Sequence, residues 1–215
     1  MTETLPLDER PYKIPDNWHW VHLKNICKYI RAGTDKPLDF CEHKTEAKFI
    51  PVIANGIQNE GVVGYTSVPK EKAGTITISA RGSIGHAIVR NIDYYPIIRL
   101  IVLSVTDDVL ACYLKYIFDF FKEDGVGSTI PQLTVPKLKN KLIPLPPLDE
   151  QQRIVEKIES LFSKLDKANE KLNLIVGFND LKNTTIGKID LMKKAILAKA
   201  FRGELGTNQT IEEKI

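Results

Sequence analysis

The chain has 215 residues, 43% hydrophobic and 27% charged, with 30 basic and 27 acidic residues for a formal net charge of +3. That length leaves room for one ordinary domain of about 100 to 150 residues plus an appendage, and the composition excludes a disordered chain. The small positive surplus is compatible with a polyanionic partner and too mild to demand one.

Cys27, Cys41 and Cys112 are far apart and form no CxxC pair, so neither a disulfide framework nor a zinc ribbon is indicated and a reducing cytoplasm fits. The first residues lack the basic-then-apolar pattern of a signal peptide, and no apolar run approaches the roughly 20 residues of a membrane span. A soluble, cytoplasmic protein without membrane contact is expected.

Residues 1–15 are polar and carry Pro6, Pro11 and Pro15, which reads as an extended lead-in, with order beginning near Trp18. Trp18, Trp20, Val21, Leu23 and Ile26 form an apolar cluster that fits a short strand or a helical turn equally well. From Phe49 to Val105 the apolar runs are short, rich in β-branched residues and punctuated by glycine, so this stretch is mostly strands. A helix follows. Leu110, Tyr113, Leu114, Ile117, Phe118 and Phe121 recur on one face, Asp107 and Asp108 are placed to cap its start, and Gly125 and Gly127 end it. Cys112, among those apolar residues, reads as core. Lys137, Lys139 and Lys141 alternate with apolar residues as in an exposed strand, and Pro144, Pro146 and Pro147 force an extended exit.

Asp149 suits the N-cap of a new helix, with Gln152 three residues on as in a capping box. Ile154, Ile158, Leu161, Leu165, Ala168, Leu172 and Ile175 then alternate by four and three, the spacing of a coiled-coil seam. The phase is lost from Gly177 to Gly187 and resumes with Ile186, Ile189, Met192 and Ile196. With no proline after Pro147, one helix with a stutter is preferred to two, ending near Gly203 as a C-terminal cap. Such a helix would be roughly 75 Å long, and its stripe needs a partner.

Catalytic motifs are scarce. The sequence has no GxxxxGK loop, HExxH, GxSxG or CxxC. Asp16 with Glu42 and Lys44 makes a loose metal-nuclease pattern that surface charge explains better, and His19 and His22 lack a third metal ligand at a fitting spacing. The segment from Thr77 to His86 is richer: its glycines permit close backbone approach, and Arg81, Ser83 and His86 offer donors for phosphates or base edges. A glycine-kinked β-turn with a solvated arginine accounts for it equally well.

Several segments resemble the specificity (S) subunit of type I restriction-modification systems. They are Ile14-Pro-Asp-Asn-Trp-His-Trp-Val-His-Leu23, Ser79-Ala-Arg-Gly-Ser-Ile-Gly85, Ser128-Thr-Ile-Pro-Gln-Leu133 and Ile143-Pro-Leu-Pro-Pro-Leu-Asp-Glu-Gln-Gln-Arg-Ile-Val155, with the tail Leu191 to Leu205. The resemblance implies an α+β protein: a mixed α/β target-recognition domain with a small, strongly twisted sheet over 1–147, a long coiled-coil helix over 148–203 that spaces such domains, and a disordered tail over 204–215. It implies no catalytic residue, metal or cofactor. The partners it implies are double-stranded DNA, methyltransferase (M) subunits and, through them, restriction (R) subunits.

Members usually carry two recognition domains and two helical regions, and this chain shows one of each. Two copies with antiparallel arms would restore the arrangement and read a symmetric, interrupted site, with the arm as a ruler. The expected DNA contacts are Arg31, Lys36, Lys44, Arg81, Ser83, His86, Arg90, Ser128, Thr129 and Gln132. The expected dimer seam is Ile154, Ile158, Leu161, Leu165, Ala168, Leu172, Ile175, Ile186, Ile189 and Ile196. The competing readings are a dimeric protein-interaction scaffold without DNA recognition and the metal nuclease.

Overall fold

The computed structural model describes the backbone of residues 10–123, 133–175 and 179–207, and the side chains of these except 122–123, 172–175 and 179–186. In chain order the strands are β1 (His19–His22), β2 (Cys27–Ala32), β3 (Ile50–Ile53), β4 (Val62–Thr66), β5 (Ile76–Ile78), β6 (Ala87–Val89), β7 (Tyr95–Pro96), β8 (Ile101–Val105) and β9 (Leu142–Leu145). The helices are α1 (Ala111–Glu123), α2 (Val135–Lys139), α3 (Leu148–Ile175) and α4 (Asn179–Phe201). Contacts divide the chain into two units, Val21–Ile143 and Met1–Trp20 with Pro144–Ile215. Strands β1 and β9 pair as a two-stranded sheet.

The Val21–Ile143 unit is built on an antiparallel sheet of order β2-β8-β5-β6 and a smaller sheet of order β4-β3-β7. Ile76, Thr77 and Ile78 of β5 and Ile101, Val102 and Leu103 of β8 are all buried, as inner strands covered on both faces must be. Strand β2 lies at the sheet's edge and buries Ile30 while Lys28 and Arg31 face outward. Ile53, Tyr94, Leu100 and Val102 join the two sheets in one apolar cluster, with Tyr29 and Val62 against it.

Helix α1 buries Tyr113, Leu114, Ile117 and Phe118, the face read from the sequence. Cys112 corrects that reading: it stands just off the stripe and is exposed. Asp107 pairs with Lys28 at 2.6 Å. The Trp18 to Ile26 cluster combines both alternatives, since β1 runs straight into a 3₁₀ turn at Leu23–Ile26. The lysine alternation is also corrected. Lys137 and Lys139 sit on α2, a short helix with a proline in its first turn, where a missing N–H costs nothing, and with Leu138 buried.

In the other unit, the lead-in and the start of the arm pack together. Tyr12 meets Trp20 edge-on at 4.9 Å, and Asn17 donates to the buried Glu150 carboxylate at 3.0 Å. The capping box does not form, because α3 begins at Leu148, which puts Pro147 and not Asp149 at the N-cap. The Pro147 carbonyl accepts from the backbone N–H of Glu150 and Gln151, while the Gln151 side chain bonds the Pro146 carbonyl. Asp149 instead holds Arg153 at 2.7 Å, and Gln152 bonds Glu156. Gly203 caps α4 as expected: at φ +76° it donates to Ala200, and Glu204 donates to Lys199, which is the Schellman pattern.

The arm itself departs from the single helix. Lys193 pairs with Asp166 at 2.7 Å across 27 residues of sequence, a separation of about 40 Å along one continuous helix. Arg153 reaches the Thr207 carbonyl at 2.8 Å. Contacts therefore run in opposite directions along the chain, and α3 and α4 form an antiparallel hairpin. Helix α3, of 28 residues, is about 42 Å long, short of the roughly 75 Å of a single helix over the whole arm. Ile154, Ile158, Leu197, Ala200 and Phe201 are buried at the hairpin's base, so α3 finds much of its partner within the same chain.

Candidate nucleic-acid interface

Strands β2 and β5 run in the same direction, each antiparallel to β8 between them. The register aligns Ala32, Ile101, Ile78 and Ala87 across the sheet. The loop that leaves β2 and the loop that joins β5 to β6 therefore spring from the same end of the sheet, with β2 and β5 two strand spacings, roughly 10 Å, apart. Lys36 and Lys44 lie on the first loop, and Arg81, Ser83 and His86 on the second.

The first loop is pinned at several points. Gly33 and Thr34 donate to Leu100 and Pro96, and Asp39 accepts from the Thr66 hydroxyl, the Ser67 hydroxyl at 2.7 Å and the Ser67 N–H at 2.9 Å. These donors, the Ser67 hydroxyl foremost, hold the Asp39 carboxyl well below the usual carboxylate range. Lys36 lies over the Phe40 ring, 3.3 Å from its centroid, and remains exposed. Phe40 in turn occupies the space where a side chain on Gly64 would be, so that glycine is required by close approach. Lys44 is exposed farther along the loop.

The second loop closes on itself. Ser79 donates to His86, Gly85 to Ser79, and His86 to Ser83. Gly82 and Gly85 take φ of +69° and +82°, which explains two of the glycines that the sequence showed here. Arg81 is exposed, His86 is half-buried, and the Ser83 hydroxyl is buried without a hydrogen-bond partner among the described residues. Ser128, Thr129 and Gln132 lie outside the described residues, but the N–H of Leu133 donates to Ala80 at 3.1 Å, bringing that segment's end to this loop.

Two arginines are placed differently. Arg31, half-exposed on β2, stacks on Tyr29 at 4.5 Å and holds the buried Glu71 at 2.6 Å. Arg90 is 5% exposed, donating to Thr77 at 2.9 Å and to the Glu60 carbonyl at 2.8 Å. That burial withdraws it from the DNA-contact set and makes it a support.

Sequence reading missed the loop from Ala54 to Gly61. It adjoins the second loop, since Ala80 donates to the Asn55 side chain at 2.7 Å and Gly56 to the Ser79 hydroxyl at 3.4 Å. The Asn55-Gly56 pair and Gly61 were its signal. Among the described residues no three His, Cys, Asp or Glu side chains gather as a metal site requires, and no helix is long and apolar enough to cross a membrane. Burial pushes the Cys27 thiol up to about 12, away from reactivity.

Residues 15–176 match the family model of the type I restriction modification DNA specificity domain. The chain belongs to that family. Among relatives of this specificity domain, the type I restriction enzyme EcoDI specificity subunit of Escherichia coli is 32% identical over 204 residues, covering 89% of this chain and 43% of that protein. The EcoBI specificity subunit of Escherichia coli is 25% identical over 231 residues, covering 95% and 45%. The HsdS subunit of Thermoanaerobacter tengcongensis superposes with a TM-score of 0.62 at 25% identity, over 92% of this chain and 48% of that one. The α+β class is thus the fold of a specificity subunit. The chain spans under half the length of each of these relatives.

Proposed function

We propose that this specificity-domain protein is a non-catalytic DNA reader that directs M subunits and, through them, R subunits of a type I restriction-modification complex to their target. The observation that carries the reading is the family match, together with two loops bearing donor side chains that leave the same end of the sheet. Lys36, Lys44 and Arg81 would supply phosphate contacts, and the neutral donors and acceptors between them would meet base edges. The chain would read one half of a bipartite site over 1–147 and use 148–203 as the spacer.

Pairing of two copies through antiparallel arms, giving a symmetric interrupted site, is part of this proposal. It is supported by apolar surface left on the hairpin: Leu191 is 64% and Met192 52% exposed, Ala168 is exposed, and Leu161, Leu165, Ile189 and Ile196 are only half-covered. Leu172, Ile175 and Ile186 lie outside the described side chains.

The test is fluorescence anisotropy of the full chain with randomised duplex DNA at several salt concentrations, alongside light scattering. Affinity should fall linearly with salt on logarithmic axes, more weakly for Arg81→Ala, and the mass should be that of a dimer. Salt-independent or absent binding would remove the DNA reading, and a monomeric mass at micromolar concentration would remove the pairing alone.

A further inference from the structure

The loop from Ala54 to Gly61 holds the non-glycine residues with positive φ among the described residues. Asn59 and Glu60 are consecutive non-glycine residues in the left-handed region, at φ +47° and +52°, and Gly61 follows at +80°. Each such non-glycine residue costs on the order of 1 kcal/mol and persists only when its surroundings fix it. Here they do. Arg90, buried beneath, donates to the Glu60 carbonyl, and Ala54 donates to the Gly61 carbonyl at 2.9 Å. A Cβ on Gly61 would stand 2.5 Å from the Ala54 carbonyl oxygen, so the loop's base admits no side chain there.

What this strained loop displays is chemically specific. Ile57, 57% exposed, and Gln58 and Asn59, both exposed, form its apex, with no lysine or arginine from Ala54 to Gly61. A phosphate-binding loop would carry cations. The one charge present, Glu60, would repel a phosphate, and it lies 3.5 Å from the Arg90 guanidinium. A primary amide beside an apolar side chain is instead the equipment for base edges, because a glutamine carboxamide matches the adenine N6 and N7 pair and an apolar side chain suits a thymine methyl group. The loop is also tied to the neighbouring Arg81 loop through Asn55 and Ser79. Arg81 is thus on the loop next to Gln58's own.

We propose that Gln58 is a specificity-determining side chain that reads a base edge in the DNA site, presented by a strained loop that the buried Arg90 holds from below. The inference rests on the DNA-recognition reading and adds a residue and a role that it did not contain.

The test is selection from a pool of randomised duplexes by the full chain, together with a methyltransferase subunit where one co-purifies, comparing wild type with Gln58→Ala and Gln58→Glu. Both substitutions are on an exposed side chain, and thermal melts check folding. For Gln58→Ala, preference should fall about ten-fold at one base pair of the half-site and persist elsewhere. For Gln58→Glu, whose carboxylate accepts from cytosine N4, preference at that same pair should move toward C·G. An unchanged profile in both variants overturns the proposal, as does a uniform loss of affinity with a shallower salt slope, which would make Gln58 a backbone contact. If wild type itself enriches no sequence, the DNA-recognition reading fails first. If wild type enriches a site that both variants share, only the role of Gln58 falls.

Discussion

The Arg90 guanidinium donates to the Glu60 carbonyl at 2.8 Å from a position only 5% exposed, joining a buried cation to a residue in the left-handed region. Arg90→Met removes this bond and the one to Thr77 together. Urea denaturation should show a loss of about 2 kcal/mol, the usual scale for hydrogen bonds to a charged group. Arg90→Lys should recover only part, since a point ammonium cannot reproduce the forked contacts. A change below about 0.5 kcal/mol in the methionine variant would show that the clamp carries no weight.

Asp39 predicts an acid response. Its folded-state pKa lies below the unfolded value of about 4, so its contribution to stability is fully present above that pH and is lost as pH falls through the folded-state value. Stability of the wild type should therefore decline in strongly acidic solution, and Asp39→Asn should flatten that decline. At neutral pH the Ser67 amide, which Asp39 accepts from, should exchange its hydrogen faster in Asp39→Asn. Equal exchange in both proteins would remove Asp39 as the pin of this loop.

Gly64→Ala should be costly although it adds a single methyl group. The new Cβ would meet the Phe40 ring at 2.4 Å and the Cys41 carbonyl oxygen at 2.5 Å, so ring and backbone must both give way. Overpacking of this kind costs about 1–3 kcal/mol, to be read from denaturation midpoints. Because Lys36 rests on the displaced ring, DNA affinity should fall as well. A variant as stable as wild type would mean that Phe40 has other room to occupy.

Asp166 and Lys193 distinguish folding within one arm from pairing between arms. Asp166→Cys with Lys193→Cys, in a background where Cys27, Cys41 and Cys112 are replaced, should be joined by a short bismaleimide. The product should migrate as a single chain on a denaturing gel. Migration as a covalent dimer would place the partner helix on a second copy.

How much the sequence revealed follows the range of the interactions involved. Helix α1 was legible because Tyr113, Leu114 and Ile117 repeat at helical spacing and all point to one core, and the Gly203 cap was legible because its signal lies within a few residues. Lys137 and Lys139 misled because alternation over so short a span cannot be told from one helical turn, and Pro136 decides between them only once its place in the first turn is known. Cys112 differs from its apolar neighbours by a small rotation around the helix. The hairpin depends on contacts such as Lys193 with Asp166 that no local pattern records, and heptad spacing is the same whether the partner helix belongs to the same chain or another. Lys36 and Arg81 are exposed on connecting loops, as the sequence suggests for cations there, whereas Arg90 was not separable from them without its burial. Gln58 carried no signal, because its interest comes from a strained backbone and a support thirty residues away.

An arm that doubles back must grow in matched steps. A heptad added to α3 alone would leave the contact of Arg153 with Thr207 intact at one end and throw every pairing beyond the insertion out of register with α4. Natural variants with longer arms should therefore carry compensating insertions in both helices, and a lone insertion should be repaired by second-site changes in α4. The reach of this protein is then inherited as a coupled pair of lengths.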